Sequence, residues 1–343
     1  EGLHHITAVA GDSQQNIDFY RNILGQRMIK KTVNFDDPTT YHLYYADVNG
    51  TPGSVITFFP WGNSRKGLRG NGATNAMAYN IPENALDFWQ EYLQRNGIQT
   101  LPIEQRFGEQ VLAFDDPDGM QIELVASAQQ TNLAHWDAGP IEARFALQGF
   151  HSATIWLSQV EPTAAVLTSR MGYTFSGQEG SRYRFLASKG ALGNILDIVH
   201  RPQGNRAVFG TGSIHHIAFQ VPDDQTEMEY LQSLRADGLN ISDVRDRNYF
   251  HSIYFRVPGG VLFEIATNHP GFTIDEPIEK LGEALKLPAW YEAQRKEIEA
   301  SLAALDFLND PEALDKREEL KGMALCTEGL IAFARRYAEK ARE

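Results

Sequence analysis

The chain has one cysteine, Cys326, in 343 residues. No internal disulfide can form, and a reducing cytoplasm is the expected compartment. Basic residues are in deficit, 31 Lys and Arg against 44 Asp and Glu, for a net charge of −13. Polyanion binding needs a Lys/Arg surface, so nucleic acid is excluded as a partner. No stretch approaches the roughly 18 apolar residues of a membrane span, so a membrane-spanning helix is not expected. The opening residues do not read as a signal peptide. Residues 67–72 and 80–82 read as linker and loop rather than as a phosphate-binding loop. What remains is an ordinary soluble composition, with length enough for two domains.

Against that plain background stands a repeat. Leu3-His4-His5-Ile6 and Ile214-His215-His216-Ile217 are near-identical and lie 211 positions apart. A lone histidine on a strand is usually packing; the same pair opening two distant apolar runs suggests a duplicated module with a metal ligand in its first strand. Four segments share one order, a strand, a helix and three strands: residues 3–61, 73–126, 148–200 and 212–267. The helices carry apolar stripes such as Ile17, Phe19, Tyr20 and Leu24, or Leu86, Trp89 and Leu93. Asp12 or Ser13 suits the N-cap of the first, and Gly25, Gly97 and Gly238 suit left-handed C-terminal caps. Two closing strands follow Pro-X-Gly turns, Pro117-Asp118-Gly119 and Pro258-Gly259-Gly260.

A βαβββ unit exposes one sheet face that must be covered, and pairing two units closes it into a cup. The expected fold is therefore α+β, four βαβββ modules paired into two cupped half-barrels, with a C-terminal helical tail. The expected division is a first domain at 1–140, a second at 141–276 and a helical extension at 277–343. In the tail, Trp290, Tyr291 and Ile298 fit a helix begun near Pro288, and a second helical run covers 318–342. The tail reads as a packed appendage, with a lid as the sharper alternative.

The offset from first-strand to last-strand position is nearly constant: 48 from His216 to Glu264, 48 from Asn75 to Glu123, 46 from His151 to Asp197. If the first and fourth modules pair, one cup holds His5, Phe58, His216 and Glu264. The other then holds Asn75, Glu123, His151 and Asp197, which read as relics of duplication. If sequential modules pair, one cup holds His151, His216 and Glu264 instead. Either way the set is two His and one carboxylate, the facial triad of non-haem Fe(II) oxygenases.

With these residues in place, the chain resembles the vicinal oxygen chelate superfamily, which includes glyoxalases and type I extradiol dioxygenases. Within it the chain is most similar to the hydroquinone ring-cleaving dioxygenases. The resemblance runs through Leu3-His4-His5-Ile6-Thr7, Tyr41-His42-Leu43-Tyr44-Tyr45-Ala46-Asp47, residues 53–59, Ile214-His215-His216-Ile217-Ala218-Phe219, and 249–264. The stretch from Tyr254 to Glu264 also resembles the extradiol signature, departing from it at Val257. The resemblance implies that His5, His216 and Glu264 are iron ligands, which favours pairing of the first and fourth modules. It implies Fe(II), with Mn(II) as a substitute, a small aromatic diol and dioxygen as substrates, and a homo-oligomer, dimer or higher. Tyr254 and Arg247 match positions near the substrate, and His4, His215 and Thr7 match positions close to the site. Neighbouring strand residues face opposite ways, so His4 and His215 need a bulge or a route around the sheet edge to take part. His42 and His251 are weaker candidates for the pocket wall. The alternatives are a catechol dioxygenase, a metal-dependent glyoxalase or epimerase, and a ligand-binding module without metal.

Overall fold

The computed structural model describes residues 2–62, 64–128, 131–188 and 192–306. The first module comprises β1 (Leu3–Ala10), α1 (Ser13–Ile17), β2 (Arg27–Asn34), β3 (Asp37–Ala46) and β4 (Val55–Pro60). Asp12 caps α1, its side chain accepting from Gln15 N at 2.7 Å, and the helix continues as a π-helix, Asp18–Ile23. The second module is β5 (Ala73–Pro82), α2 (Leu86–Arg95), β6 (Glu104–Arg106), β7 (Glu109–Asp115) and β8 (Gln121–Ser127). The third is β9 (Phe150–Leu157), α3 (Glu161–Ser169), β10 (Tyr173–Glu179), β11 (Arg182–Ala187) and β12 (Ile195–His200). The fourth is β13 (Ile214–Val221), α4 (Asp224–Ala236), β14 (Arg245–Asp246), β15 (Phe250–Arg256) and β16 (Leu262–Pro270). Gly119 and Gly260, both at φ +92°, make the turns that open β8 and β16, a conformation that favours glycine.

These strands form two curled eight-stranded sheets. One runs β14-β15-β16-β13-β1-β4-β3-β2 and the other β10-β11-β12-β9-β5-β8-β7-β6. The first module is thus paired with the fourth through β1 and β13, and the second with the third through β5 and β9. Each sheet draws on both sides of residue 140, so the sheets do not follow a division there, and the cup that sequential pairing would give, with His151 beside His216, does not form. Residues 1–302 cluster as one unit.

The two junction ladders are irregular. Between β1 and β13 the pairing passes from Leu3↔Phe219 to His5↔Ala218, then from Thr7↔His216 to Ala8↔Ile214. His4 and His215 are each an extra residue in a bulge. Between β5 and β9 the slips fall at Asn75 and His151. Asn75 and His151 therefore correspond to His4 and His215, not to His5 and His216 as equal offsets suggested. Ala76 and Ser152 take the register of His5 and His216.

After Pro288 the chain makes a 3-10 turn, Ala289–Gln294, and α5, Arg295–Ser301. Ile298 is buried with Val33 and Leu287, Tyr291 Oη donates to Phe35 O at 2.9 Å, and Trp290 stacks edge-on against Phe35. This part of the tail packs on the sheet. The helical run expected at 318–342, Cys326 and most of the segment expected as a lid lie outside the described residues. Among the described residues no helix is long and apolar enough to cross a membrane.

Candidate metal centre

β1, β13 and β16 bring three side chains to one point on the concave face of the first sheet. His216 Nε2 lies 2.8 Å and His5 Nε2 3.2 Å from Glu264 Oε2. The two Nε2 atoms are 3.4 Å apart. Ligand atoms about 2.1 Å from a cation and at right angles to one another stand about 3.0 Å apart, which these separations bracket. All three residues are buried. Both oxygens of Glu264 are inaccessible and have no partner of hydrogen-bond geometry. The near polar neighbours of the carboxylate are the two imidazole nitrogens, and a divalent cation at the shared vertex would be bound by all three. Burial opposes ionisation of Glu264, but the His5 and His216 imidazoles outweigh it and hold the carboxyl well below its ordinary range. The residues present therefore fit a divalent metal with two imidazoles, one carboxylate and open positions.

The bulges position the ligands. Because one residue is spent at each slip, adjacent histidine rings meet instead of facing opposite ways. His4 Nδ1 lies 2.9 Å from His5 Nδ1, and His215 Nδ1 lies 2.7 Å from His216 Nδ1. Burial, then the charge of the neighbouring imidazole, lowers both His4 and His215 to about 3, so each is neutral at pH 7. His4 touches His5 and Phe250 and is not part of the cavity wall, whereas His215 is.

A cavity of about 390 Å³ opens onto His5 and His216, with Glu264 buried behind them. Phe35, Tyr44, Phe59, Trp61 and Phe250 give it an aromatic wall, and His42, Tyr254 and Arg247 supply polar atoms. Arg247 sits in the turn between β14 and β15, beside Asn248 at φ +65°. Arg247 Nε donates to Tyr254 Oη at 3.1 Å, and Ser252 Oγ donates to the same oxygen at 3.0 Å. With both acceptor positions used, the Tyr254 proton is left to point at a ligand. Burial raises the Tyr254 phenol above its usual range, Glu264 adds to that, and Arg247 pulls the other way.

The sequence placed Phe58 in this cup. The structure turns it away: Phe58 packs on Tyr20, with ring centroids 4.4 Å apart. Thr57, one residue earlier, is the inward residue, paired in register with Thr7. Its hydroxyl lies 2.9 Å from Thr7 Oγ1 and 2.8 Å from His42 Nε2, and His42 Nδ1 is 2.9 Å from Tyr44 Oη. This chain of Tyr44, His42, Thr57 and Thr7 was missed except for Thr7 and, weakly, His42. Strand alternation back from Phe59 and Trp61 is the signal that could have found Thr57. His251 is not in the wall; it pairs with Asp224 at 2.7 Å.

The second cup holds the relics. Glu123 is paired with Arg106 at 2.7 Å, and Asp197 with Arg184 at 3.0 Å and Arg182 at 3.1 Å. His151 Nε2 lies 3.0 Å from Glu109 Oε1. Guanidinium groups stand here where the first cup offers an open vertex.

Residues 2–124 match the family model described as Glyoxalase/Bleomycin resistance protein/Dioxygenase superfamily. The chain is 43% identical over 301 residues to MhqO of Bacillus subtilis, a provisionally assigned ring-cleaving dioxygenase, covering 88% of this chain and 95% of that one. It is 35% identical over 321 residues to the chlorohydroquinone/hydroquinone 1,2-dioxygenase of Sphingobium indicum, covering 91% and 97%. A crystal structure of a provisionally assigned dioxygenase from Bacillus subtilis superposes with a TM-score of 0.84 at 40% identity, over 89% of this chain and 97% of that one. Glyoxalase I from Zea mays shares the fold, with a TM-score of 0.58 at 14% identity over 78% and 92%. Residues 291–343 match a second model, Pyruvate formate lyase-like, and 49 residues are 47% identical to a trans-4-hydroxy-L-proline dehydratase of Clostridioides difficile, of which they span 6%. From the fold and the relatives spanning nearly its whole length, the chain belongs to the Glyoxalase/Bleomycin resistance protein/Dioxygenase superfamily and, within it, to the ring-cleaving dioxygenases.

Proposed function

We propose that the chain opens the aromatic ring of hydroquinones with dioxygen at Fe(II) held by His5, His216 and Glu264. The observation that carries this reading is the buried carboxylate of Glu264 beside two Nε2 atoms whose histidines line an aromatic cavity. Fe(II) held by these residues would supply open positions for a phenol oxygen and for dioxygen and would activate the dioxygen.

The protein's own residues do the rest. The aromatic wall holds a flat ring and excludes water. Tyr254 donates its free proton to oxygen at the reacting edge of the substrate, and Arg247 keeps Tyr254 oriented and stabilises negative charge that develops there. His4 and His215 fix the tautomer and tilt of the ligand rings through the Nδ1 contacts, as outer partners of metal-bound histidines do. His42, held by Thr57 and Tyr44, places a neutral imidazole on the opposite wall; burial, then His5 and His216, drives its pKa well below the ordinary value.

A glyoxalase or epimerase reaction in this fold would call for a fourth ligand. The position that could supply it is Thr57, whose hydroxyl is engaged with Thr7 and His42, so no observation favours that reading. A cytoplasmic enzyme using Fe(II), with Mn(II) as a substitute, is the form we infer. The test is anaerobic Fe(II) loading followed by oxygen-electrode assays with methylhydroquinone, chlorohydroquinone and catechol. Oxygen uptake with a hydroquinone, lost in His216→Ala, is the expected result. Metal bound without uptake on any of the three rings would overturn the proposal.

A further inference from the structure

A second cavity, of about 570 Å³, lies between the two sheets and shares His215 and Leu262 with the wall of the catalytic cavity. Its floor is made by the two linkers that join first to second and third to fourth modules. They run alongside each other through backbone hydrogen bonds: Gly67 N to Thr211 O at 2.8 Å, Leu68 N to Val208 O at 2.8 Å, and Asn71 N to Asn205 O at 2.8 Å. The approach is too close for side chains at two places. A Cβ on Gly70 would stand 2.6 Å from Ala207 N, and one on Gly210 2.1 Å from Arg65 O. The cleft is therefore a fixed frame rather than a gap between loops.

Its lining is unlike the rest of the molecule. Lys66, Arg69, Arg206 and Arg256 face it, against one carboxylate, Asp115. Four cations to one anion is a local excess of three positive charges in a chain of net charge −13. Asp115 is already engaged by Arg69 at 3.0 Å. Among the described residues Arg206 makes no ion pair, Lys66 acts on the Asp118 carboxylate from beyond ion-pair distance, and Arg256 Nη1 donates to Gly260 O at 2.7 Å. Leu68 and Phe209, exposed hydrophobic side chains, complete the wall. A volume in the small-ligand range, a few cations and an apolar wall together describe a site for a small organic anion.

The reaction class supplies such an anion next door. A hydroquinone is neutral at pH 7. Its ring cleavage breaks one ring C–C bond and the O–O bond and forms two C–O bonds. The ring loses four electrons, dioxygen gains four, and both oxygen atoms stay in the product. The hydroxyl-bearing carbon becomes a carboxylic acid, ionised at pH 7, and its neighbour a carbonyl. We propose that the cleft lined by Lys66, Arg69, Arg206 and Arg256 is a binding site for the ring-opened carboxylate product, received from the catalytic cavity past His215 and Leu262. This rests on the ring-cleavage reading for the identity of the ligand. The electrostatic logic is one-way: a neutral ring gains little from these cations, whereas its product carries the charge they attract.

The test separates the two readings. Metal-free protein is titrated calorimetrically with cis,cis-muconate, a six-carbon ring-opened dicarboxylate, with its dimethyl ester and inorganic phosphate as controls. Muconate is expected to bind and to weaken with added salt, and the ester not to bind. Lys66→Met with Arg206→Gln is expected to weaken muconate binding about tenfold or more, as loss of charged hydrogen-bond partners does. In the iron-loaded enzyme the same pair should leave the initial-rate kcat/KM for methylhydroquinone unchanged and raise the product-inhibition constant by a similar factor. Muconate binding unaffected by the substitutions, or phosphate competing with equal affinity, overturns the proposal. Single Lys66→Met serves if the pair does not fold. Failure of any hydroquinone to react would strike the ring-cleavage reading and the naming of the ligand as its product, while the anion site itself stands or falls on muconate binding, which is measured without metal or turnover.

Discussion

Glu264→Gln preserves the shape of the carboxylate and removes its charge, and its consequences differ with and without metal. In the metal-free protein Glu264 is fully buried, with both oxygens lacking hydrogen-bond partners. The amide can donate to one of the Nε2 atoms that lie 2.8 and 3.2 Å away, so stability should change by about 1 kcal/mol in either direction. With metal the comparison is lopsided. A ligand that binds only the folded state at a hundred times its Kd stabilises by about 2.7 kcal/mol. At about 2.1 cal/mol/K of unfolding entropy per residue, a unit spanning residues 1–302 shifts its Tm by about 1.6 °C per kcal/mol, so Fe(II) should raise the wild-type midpoint by about 4 °C. Losing the one anionic ligand of three should weaken the metal by about a hundredfold or more and remove nearly all of that rise. The assay is anaerobic thermal unfolding with and without Fe(II), and with Mn(II) in parallel. A Glu264→Gln protein that unfolds normally and shows the full metal-induced rise would show that the metal sits elsewhere, whatever the activity does.

Three further outcomes follow from the same geometry. Tyr254→Phe should lower kcat about a hundredfold with little change in KM, and cost about 1–2 kcal/mol because Arg247 Nε and Ser252 Oγ lose their shared acceptor; unchanged kcat would remove the Tyr254 proton from the mechanism. Arg184→Ala in the second cup leaves Asp197, which is fully buried, with Arg182 alone. Chemical denaturation should show a loss of about 3–5 kcal/mol with KM for hydroquinone unchanged, and a loss below about 1 kcal/mol would contradict the account of those ion pairs. Glu227 on α4 is buried with Oε1 unpartnered, and burial lifts its pKa from 4.5 to about 7. The folded protein holds this proton more tightly than the unfolded chain, so wild-type stability should fall as pH rises between about 4.5 and 7. Glu227→Gln should flatten that window in thermal melts, and an unaltered pH profile would mean the carboxyl ionises normally.

The candidate metal centre was legible because its chemistry repeats in the sequence. His5 and His216 lie far apart in the chain but share a tetrapeptide, and Glu264 follows a Pro-X-Gly turn that announces the start of a strand. Pairing of the first module with the fourth is encoded by no local signal, since the β1–β13 ladder joins residues about 210 apart; only the family resemblance, which makes both histidines ligands, argued for it. Counting residues failed where the ladder slips. A regular strand alternates, so equal offsets should select equivalent positions. The bulges at His4, His215, Asn75 and His151 break that premise, and a bulge has no residue type of its own to announce it. Asn75 and His151 were accordingly matched to the ligand histidines rather than to their neighbours, and Phe58 was turned inward in place of Thr57. Arg106, Arg182 and Arg184 were unreadable for a related reason: their meaning lies in the carboxylates opposite them, which only strand pairing reveals. The slips that upset the count also resolve the difficulty of the adjacent histidines. On an unbroken strand His4 and His215 would face away from the centre; one extra residue in each ladder turns their Nδ1 atoms back onto the rings of His5 and His216, so the irregularity is the device by which two neighbouring side chains can serve one candidate metal site.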